Sequence, residues 1–274
     1  MSANSPGIRF LYGTVPGRAL LDFIQKTRAE RAFVRFLHSP LSRPLIPGFA
    51  RSNHIPEHEW RGKQFGSYRD FFARTRDDLT VDRTPDHLVS PCDGWLSVFP
   101  IEENSSFAIK HSRYRVADFL QDEALAERYR GGTCMIFRLC ASDYHHYCYI
   151  DDGTQGENHF IPGVLHSVQP IVCAQYPVYT INRRSWCVLE TDHFGTVVQT
   201  EIGALVVGGI VNPNASCAIR RGEEKGHFDL AGSTIVLLFE PGRVTLRDEF
   251  ARALRVCDEV RVELGQWIGN GGGA

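Results

Sequence analysis

The sequence predicts an α+β fold, with N-terminal helices followed by a mainly antiparallel β body. Two patterns predict it. Up to Leu41 apolar residues recur at three- and four-residue spacing, and from Leu88 onward short Val/Ile/Thr/aromatic runs alternate with turn residues. Length adds a third constraint: 274 residues of which 43% are hydrophobic can bury one large core or a domain with an appendage.

The first helix is expected between Arg18 and Leu41, where Leu20, Leu21, Ile24, Phe33, Phe36 and Leu37 form the apolar stripe and Pro40, Pro44 and Pro47 end it. A second, shorter helix is expected from Ser67 to Thr75, with Ser67 as its N-cap and Tyr68, Phe71 and Phe72 on one face. Basic residues are interleaved with the first stripe. Up to Leu45 the chain carries seven Arg and Lys against Asp22 and Glu30. Such a helix either lies on anionic lipid head groups or packs on its own domain with its arginines solvated.

The β body is read from LVSPCDGWLSVF, TCMIFRL, YHHYCYIDDG, GVLHSV, SWCVLETDHFG, TVVQTEIGALVVGGIV and STIVLLFEPG, with tight turns at Asp93-Gly94, Asp152-Gly153 and Pro241-Gly242. A short helix is expected between Leu246 and Trp267. The division is a helical, membrane-associating region over 1–80 and a β domain over 81–274.

Composition narrows the partners. A formal net charge of −2 argues against a nucleic-acid binder that works through overall positive charge. The eight cysteines form no C-x-x-C pair and mostly sit in apolar runs, which reads as buried thiols in a reducing compartment. MSANSPGIRF lacks a signal-peptide core, and no apolar stretch approaches the ~20 residues that span a bilayer. The expected location is cytoplasmic, peripheral on the cell membrane.

Three segments carry chemistry. In RGEEKGHFDLAGSTIVLLFEPG, Gly232-Ser233-Thr234 immediately precedes a strand. Glycine lets the backbone take a strained conformation there, and the Ser233 hydroxyl can attack the preceding carbonyl in an N-to-O shift. The plainer alternative is a loop-to-strand turn with a hydroxyl making a local hydrogen bond. In SPCDG, Asp93 either orients a base or simply forms a turn with Gly94. In DYHHYCYIDDG, His146 and Cys148 share one face of a strand while His145 and Tyr147 share the other. One histidine is a candidate general acid or base, and two adjacent histidines on a strand make poor joint metal ligands.

Taken together, SPCDGWLS, DYHHYCYIDDG, PGVLHSVQP, GALVVGGI and RGEEKGHFDLAGST resemble, in order and approximate spacing, the phosphatidylserine decarboxylase family. The resemblance runs from about Phe10, through SYRDFFARTRDD, to Glu240. It implies self-cleavage between Gly232 and Ser233, giving Met1–Gly232 and a short chain in which Ser233 has become a covalent pyruvoyl group. No pyridoxal phosphate and no metal are implied. Asp93 matches the aspartate of an Asp-His-Ser arrangement that drives cleavage. His145 matches the first histidine of the tyrosine-histidine motif, tied to substrate handling and decarboxylation. The implied partners are phosphatidylserine, an anionic membrane surface, and the two chains of self-cleavage, with a homodimer as one option for assembly. One departure stands out. Where many members carry a second histidine as the triad base, this chain has Cys148, and Ile150 replaces a proline. The pattern resembles a subgroup with the same Y-H-x-Y-C-x-I-D-D-G form. The base is then His166 of GVLHSV, which we favour, or His146, or Cys148 if its pKa falls. Two other functions stay open: a pyruvoyl decarboxylase of a free amino acid, and an unprocessed, non-enzymatic lipid-binding β domain.

Overall fold

The computed structural model describes residues 6–26, 29–109, 112–173, 175–204, 209–230 and 233–272. Gly232 lies outside these residues. Three helices open the chain, Pro6–Gly13, Val15–Lys26 and Ala29–Leu37, followed by a 3₁₀ turn at Pro40–Ser42 and the helices Leu45–Ser52, Glu57–Trp60 and Tyr68–Phe72. The single helix expected between Arg18 and Leu41 is therefore two. The prolines end the second of them, as their missing N–H and fixed φ require. Ser67 is the N-cap of Tyr68–Phe72, its hydroxyl accepting from the Asp70 amide.

The apolar stripe divides its residues between core and surface. Leu37 packs with Phe72 and Leu230, and Phe71 joins Ile46, Ala50 and Ile55. Leu20 and Phe33 stay 44% and 47% exposed. The side chains of Leu21 and Ile24 lie outside the described ones.

Behind the helices stands a nine-stranded antiparallel sheet. Its order is Cys217–Ile219, Gly153–Gln155, Arg184–Thr191, Gly195–Ile202, Ser233–Phe239, Thr133–Leu139, Gly94–Pro100 and Val260–Val262, with His159–Ile161 also paired to the Arg184 strand. Both faces of its centre are covered. Val236 and Leu238 point into one apolar cluster, and Ile235, Leu237 and Phe239 into the other. That two-sided burial is why STIVLLF and TCMIFRL read as unbroken apolar runs instead of alternating ones.

A second sheet, ordered Gly209–Val211, Glu224–Asp229, His146–Cys148, covers the face with Ile235 through Tyr147 and Phe228. A third pairs His87–Val89 and Val244–Leu246 with Trp267–Gly271. The tail helix is Asp248–Leu254. GVLHSV departs from expectation, contributing only a bridge of Val164 with Asn182. The Asn182 side chain takes up the backbone there: His166 N–H donates to its Oδ1 at 3.1 Å, and its Nδ2 donates to the His166 carbonyl at 2.8 Å.

Candidate active site

Four of the sequence motifs meet at one end of the central sheet. Register brings them there. Ser233 opens its strand opposite Leu139, and Thr234 lies opposite Ile202, so Gly203 continues the neighbouring strand beside Ser233. Trp95 pairs with Arg138, which places Asp93 and Gly94 at the same end, two strands from Ser233. Two strand spacings amount to about 10 Å. The approach is so tight that a Cβ on Gly94 would stand 2.9 Å from the Arg138 carbonyl.

Ser233 is 1% exposed, and its Oγ has no hydrogen-bond partner among the described residues. A buried hydroxyl in that state costs stability unless something else uses it. Alternation along the strand puts it on the same face as Ile235 and Leu237. Leu230, the last described residue before it, has φ 61°, a left-handed conformation uncommon for leucine.

His145 is fully buried against Phe72, ring centroids 4.1 Å apart, and Phe72 in turn packs on Leu230. Its Nδ1 lies 2.8 Å from the Asp143 carbonyl. A carbonyl only accepts, so Nδ1 carries the hydrogen and Nε2 presents its lone pair, with no partner among the described residues. Burial, aided by the nearby Arg74 charge, lowers the imidazole to about 3 and keeps it neutral. By alternation His145 faces the same way as Tyr147, toward the core face that Ser233 also occupies.

Asp93 is held from two sides. Arg76 donates to Oδ2 at 3.1 Å and the Leu264 amide to Oδ1 at 2.8 Å. Among the described residues its carboxylate bonds to no histidine. It lies close to Asp143, whose carboxyl is raised mainly by burial and further by Asp93. Asp143 Oδ2 accepts from the Cys140 amide, fixing the loop that carries His145.

Cys148 does not meet the condition for a base. Its strand is pinned to SPCDG by its amide donating to the Pro91 carbonyl at 2.8 Å, and burial pushes the thiol up to about 12. A thiolate is absent near neutral pH at such a value.

His166 belongs to the other side of the sheet. Its ring stacks on Tyr176 at 4.6 Å, and its Nδ1 lies 3.2 Å from the hydroxyl of Tyr12, a residue of the cluster that holds Val236 and Leu238. Burial lowers its pKa. Asn182 ties the His166 backbone to Gly203, beside Ser233, by donating to the Gly203 carbonyl at 2.9 Å. His146 is turned away. Its ring is stacked between Tyr144 and His227, at 4.9 and 4.8 Å.

Sequence reasoning missed Tyr12 and Asn182, which belong to no quoted motif, and gave no role to Arg76, which lies within SYRDFFARTRDD. Only their contacts show that they orient His166 and Asp93.

Fold and site together define an α+β protein whose central strand begins with a buried serine hydroxyl that has no partner among the described residues, with an aspartate at the same end of the sheet, one neutral histidine toward the same face and another across the sheet. A family model described as phosphatidylserine decarboxylase matches residues 68–270. The chain is 38% identical over 265 residues to phosphatidylserine decarboxylase proenzyme 2 of Clostridium acetobutylicum, covering 96% of this chain and 91% of that one. It is 32% identical over 271 residues to the proenzyme of Clostridium perfringens (96% and 92% covered) and 35% over 268 residues to that of Ruminiclostridium cellulolyticum (95% and 89%). This chain belongs to the phosphatidylserine decarboxylase family.

Proposed function

We propose that the protein decarboxylates phosphatidylserine to phosphatidylethanolamine, after cutting its own Gly232–Ser233 bond and converting Ser233 to a pyruvoyl group. The observation that carries this reading is the Ser233 hydroxyl, buried and without a hydrogen-bond partner among the described residues, at the head of the central strand. In the first step Ser233 Oγ bonds to the Gly232 carbonyl carbon, the C–N bond breaks, and the hydroxyl proton ends on the freed amine. Loss of the Ser233 α-proton then expels the Gly232 carboxylate. Water displaces the nitrogen as ammonia and leaves the ketone.

His166 takes the hydroxyl proton in this scheme, which requires its ring to reach Ser233 from the opposite face of the sheet, where it packs on Tyr12 and Tyr176. For its Nε2 to accept, Nδ1 must carry the hydrogen and donate to the Tyr12 oxygen, which already accepts from the Ser167 amide at 3.1 Å. Asp93 supports the site from the turn, anchored by Arg76. The pyruvoyl ketone supplies an electron sink for an amine-bearing acid that loses CO₂. His145, whose Nε2 lone pair has no partner among the described residues, relays the proton to the carbon that CO₂ leaves; with its hydrogen on Nδ1 the neutral ring offers the substrate carboxylate no donor.

Lipid is favoured over a free amino acid by the surface. Of the nine large apolar side chains that stand exposed among the described residues, Phe10, Val15, Leu20, Phe33, Leu41 and Leu45 all fall in the first 45 residues. Among the described residues no helix is long and apolar enough to cross a membrane, so contact would be peripheral. Intact-mass measurement followed by CO₂ release tests the proposal. Two fragments split at 232/233, with release from phosphatidylserine vesicles and none from free serine, are expected. A single full-length species, or equal release from free serine, overturns it.

A further inference from the structure

On the strand face turned away from Ser233, the structure assembles three ligating side chains that the proposed decarboxylation does not use. His146 and His227 stand directly opposite each other on paired strands. The register slips between Glu224 and Gly226, so Lys225 is an extra residue in its strand. That bulge has two effects. Lys225 is thrown into the core, where its ammonium meets Glu201 at 2.9 Å with both side chains fully buried. Glu224 and His227, three residues apart, come to share one face with His146.

The result is one carboxylate oxygen in front of two imidazoles. Glu224 Oε1 lies 3.0 Å from His146 Nδ1 and 3.9 Å from His227 Nδ1. All three ligand atoms fall within 4.8 Å of one another. The tautomer of His146 is fixed by its far side, where Nε2 lies 3.1 Å from the Ala73 carbonyl and must donate to it. A neutral His146 therefore points the Nδ1 lone pair at a carboxylate oxygen, two acceptors face to face. Nδ1 is buried, and its alignment with Glu224 makes no hydrogen bond. A cation between them removes the conflict. Donation of the second ring nitrogen to a backbone carbonyl is also how metal-bound histidines are commonly oriented. Stacking between Tyr144 and His227 holds the ring in place.

We propose that His146, Glu224 and His227 form a binding site for a divalent transition-metal ion, with water completing its coordination. Two imidazoles and one carboxylate suit zinc, cobalt, nickel or copper, and not the all-oxygen shells of calcium or magnesium. Tetrahedral ligation brings ligand atoms to roughly 3.4 Å apart at metal–ligand distances of about 2.1 Å. At 3.0 and 3.9 Å from the two Nδ1 atoms, Glu224 Oε1 already stands near that spacing, and its side chain, 51% exposed, is free to adjust. An ion there would clasp the strand leading to Ser233 to the strand that follows His145.

Tag-free, chelator-treated full-length protein titrated with Co²⁺ tests the site, read by visible d–d absorption. One equivalent should bind with a tetrahedral-type spectrum, and Zn²⁺ should displace it. Glu224→Gln and His227→Ala, both at partly exposed positions, should each weaken binding at least about tenfold. Circular dichroism of the two variants confirms that they remain folded, and a Zn²⁺-induced rise in melting temperature should vanish in both. Absence of stoichiometric Co²⁺ uptake would show that His146 and Glu224 are only a proton-bridged ion pair. Unchanged affinity in the two variants would place the ion elsewhere. Either result overturns the proposal.

Discussion

Single residues at the head of the central strand divide the work of maturation from the work of turnover. Ser233→Ala removes the attacking oxygen, so the protein should run as one full-length species and release no CO₂. The two histidines are predicted to separate. His166→Ala should slow self-cleavage about 10²-fold or more, the usual contribution of a general base, as timed by mass spectrometry of freshly synthesised protein. His145→Asn should still cleave but lose decarboxylation by a similar factor. Normal cleavage in the first variant, or full turnover in the second, would reassign the roles. Burial of His145 also fixes a pH dependence. Its folded pKa of about 3 lies below the unfolded value of about 6.5, so the unfolded chain binds the proton first. Its contribution to stability is complete above pH 6.5 and is lost as pH falls toward 3. Between pH 7 and pH 5 this amounts to about 2 kcal/mol. Urea unfolding in the uncleaved Ser233→Ala background should show that loss, and His145→Asn should reduce it, leaving the smaller same-signed contributions of His166 and His227.

At the level of elements, the central strand does two jobs that pull its sequence in different directions. Its body fills both faces of the sheet, while its first residue must stay polar and buried. Leu237, with no measurable exposure, sits among Ile235 and Phe239 on the inner face. Leu237→Ala should cost about 2–5 kcal/mol through lost burial and the cavity left behind, read as a lower urea midpoint at unchanged slope. Strands of this kind were legible in the sequence because two-sided burial writes an apolar run bounded by turn residues, and the Ser67 cap was legible because its geometry is local. GVLHSV was not, since a distant asparagine replaces the strand partner its pattern suggests. Nor was the bulge at Lys225, which is a single-residue slip in pairing and leaves no periodic trace. The motifs named Asp93, His145 and Ser233, whose convergence appears only in the register of four strands. Why Asp93 bonds to Arg76 and not to a histidine follows from the fold of the Phe72–Asp78 segment, which no spacing rule reports.

For the molecule as a whole, the helical N-terminal region is bound into the β body. Tyr12 is 1% exposed within the core cluster that holds Val236 and Leu238, and its hydroxyl reaches both His166 and Ser167. Leu37 packs against Leu230, two residues before the cleavage site. Deleting everything before Leu45 would therefore damage the site along with any membrane contact, and it cannot separate the two. Surface substitutions can. Leu20 and Phe33 are about half exposed on two successive helices that also carry Arg18 and Arg35, and they make no core contribution comparable to Tyr12. Burying each in a lipid interface gains at most about 1.5–3 kcal/mol. A Leu20→Ser, Phe33→Ser double variant should thus lose at least about tenfold in binding to vesicles containing anionic lipid. Self-cleavage at 232/233 should continue, because neither side chain touches Ser233, His145 or His166. Sedimentation that is unchanged in the double variant would mean that another face meets the membrane. Loss of cleavage together with loss of binding would mean that the helices act on the site itself.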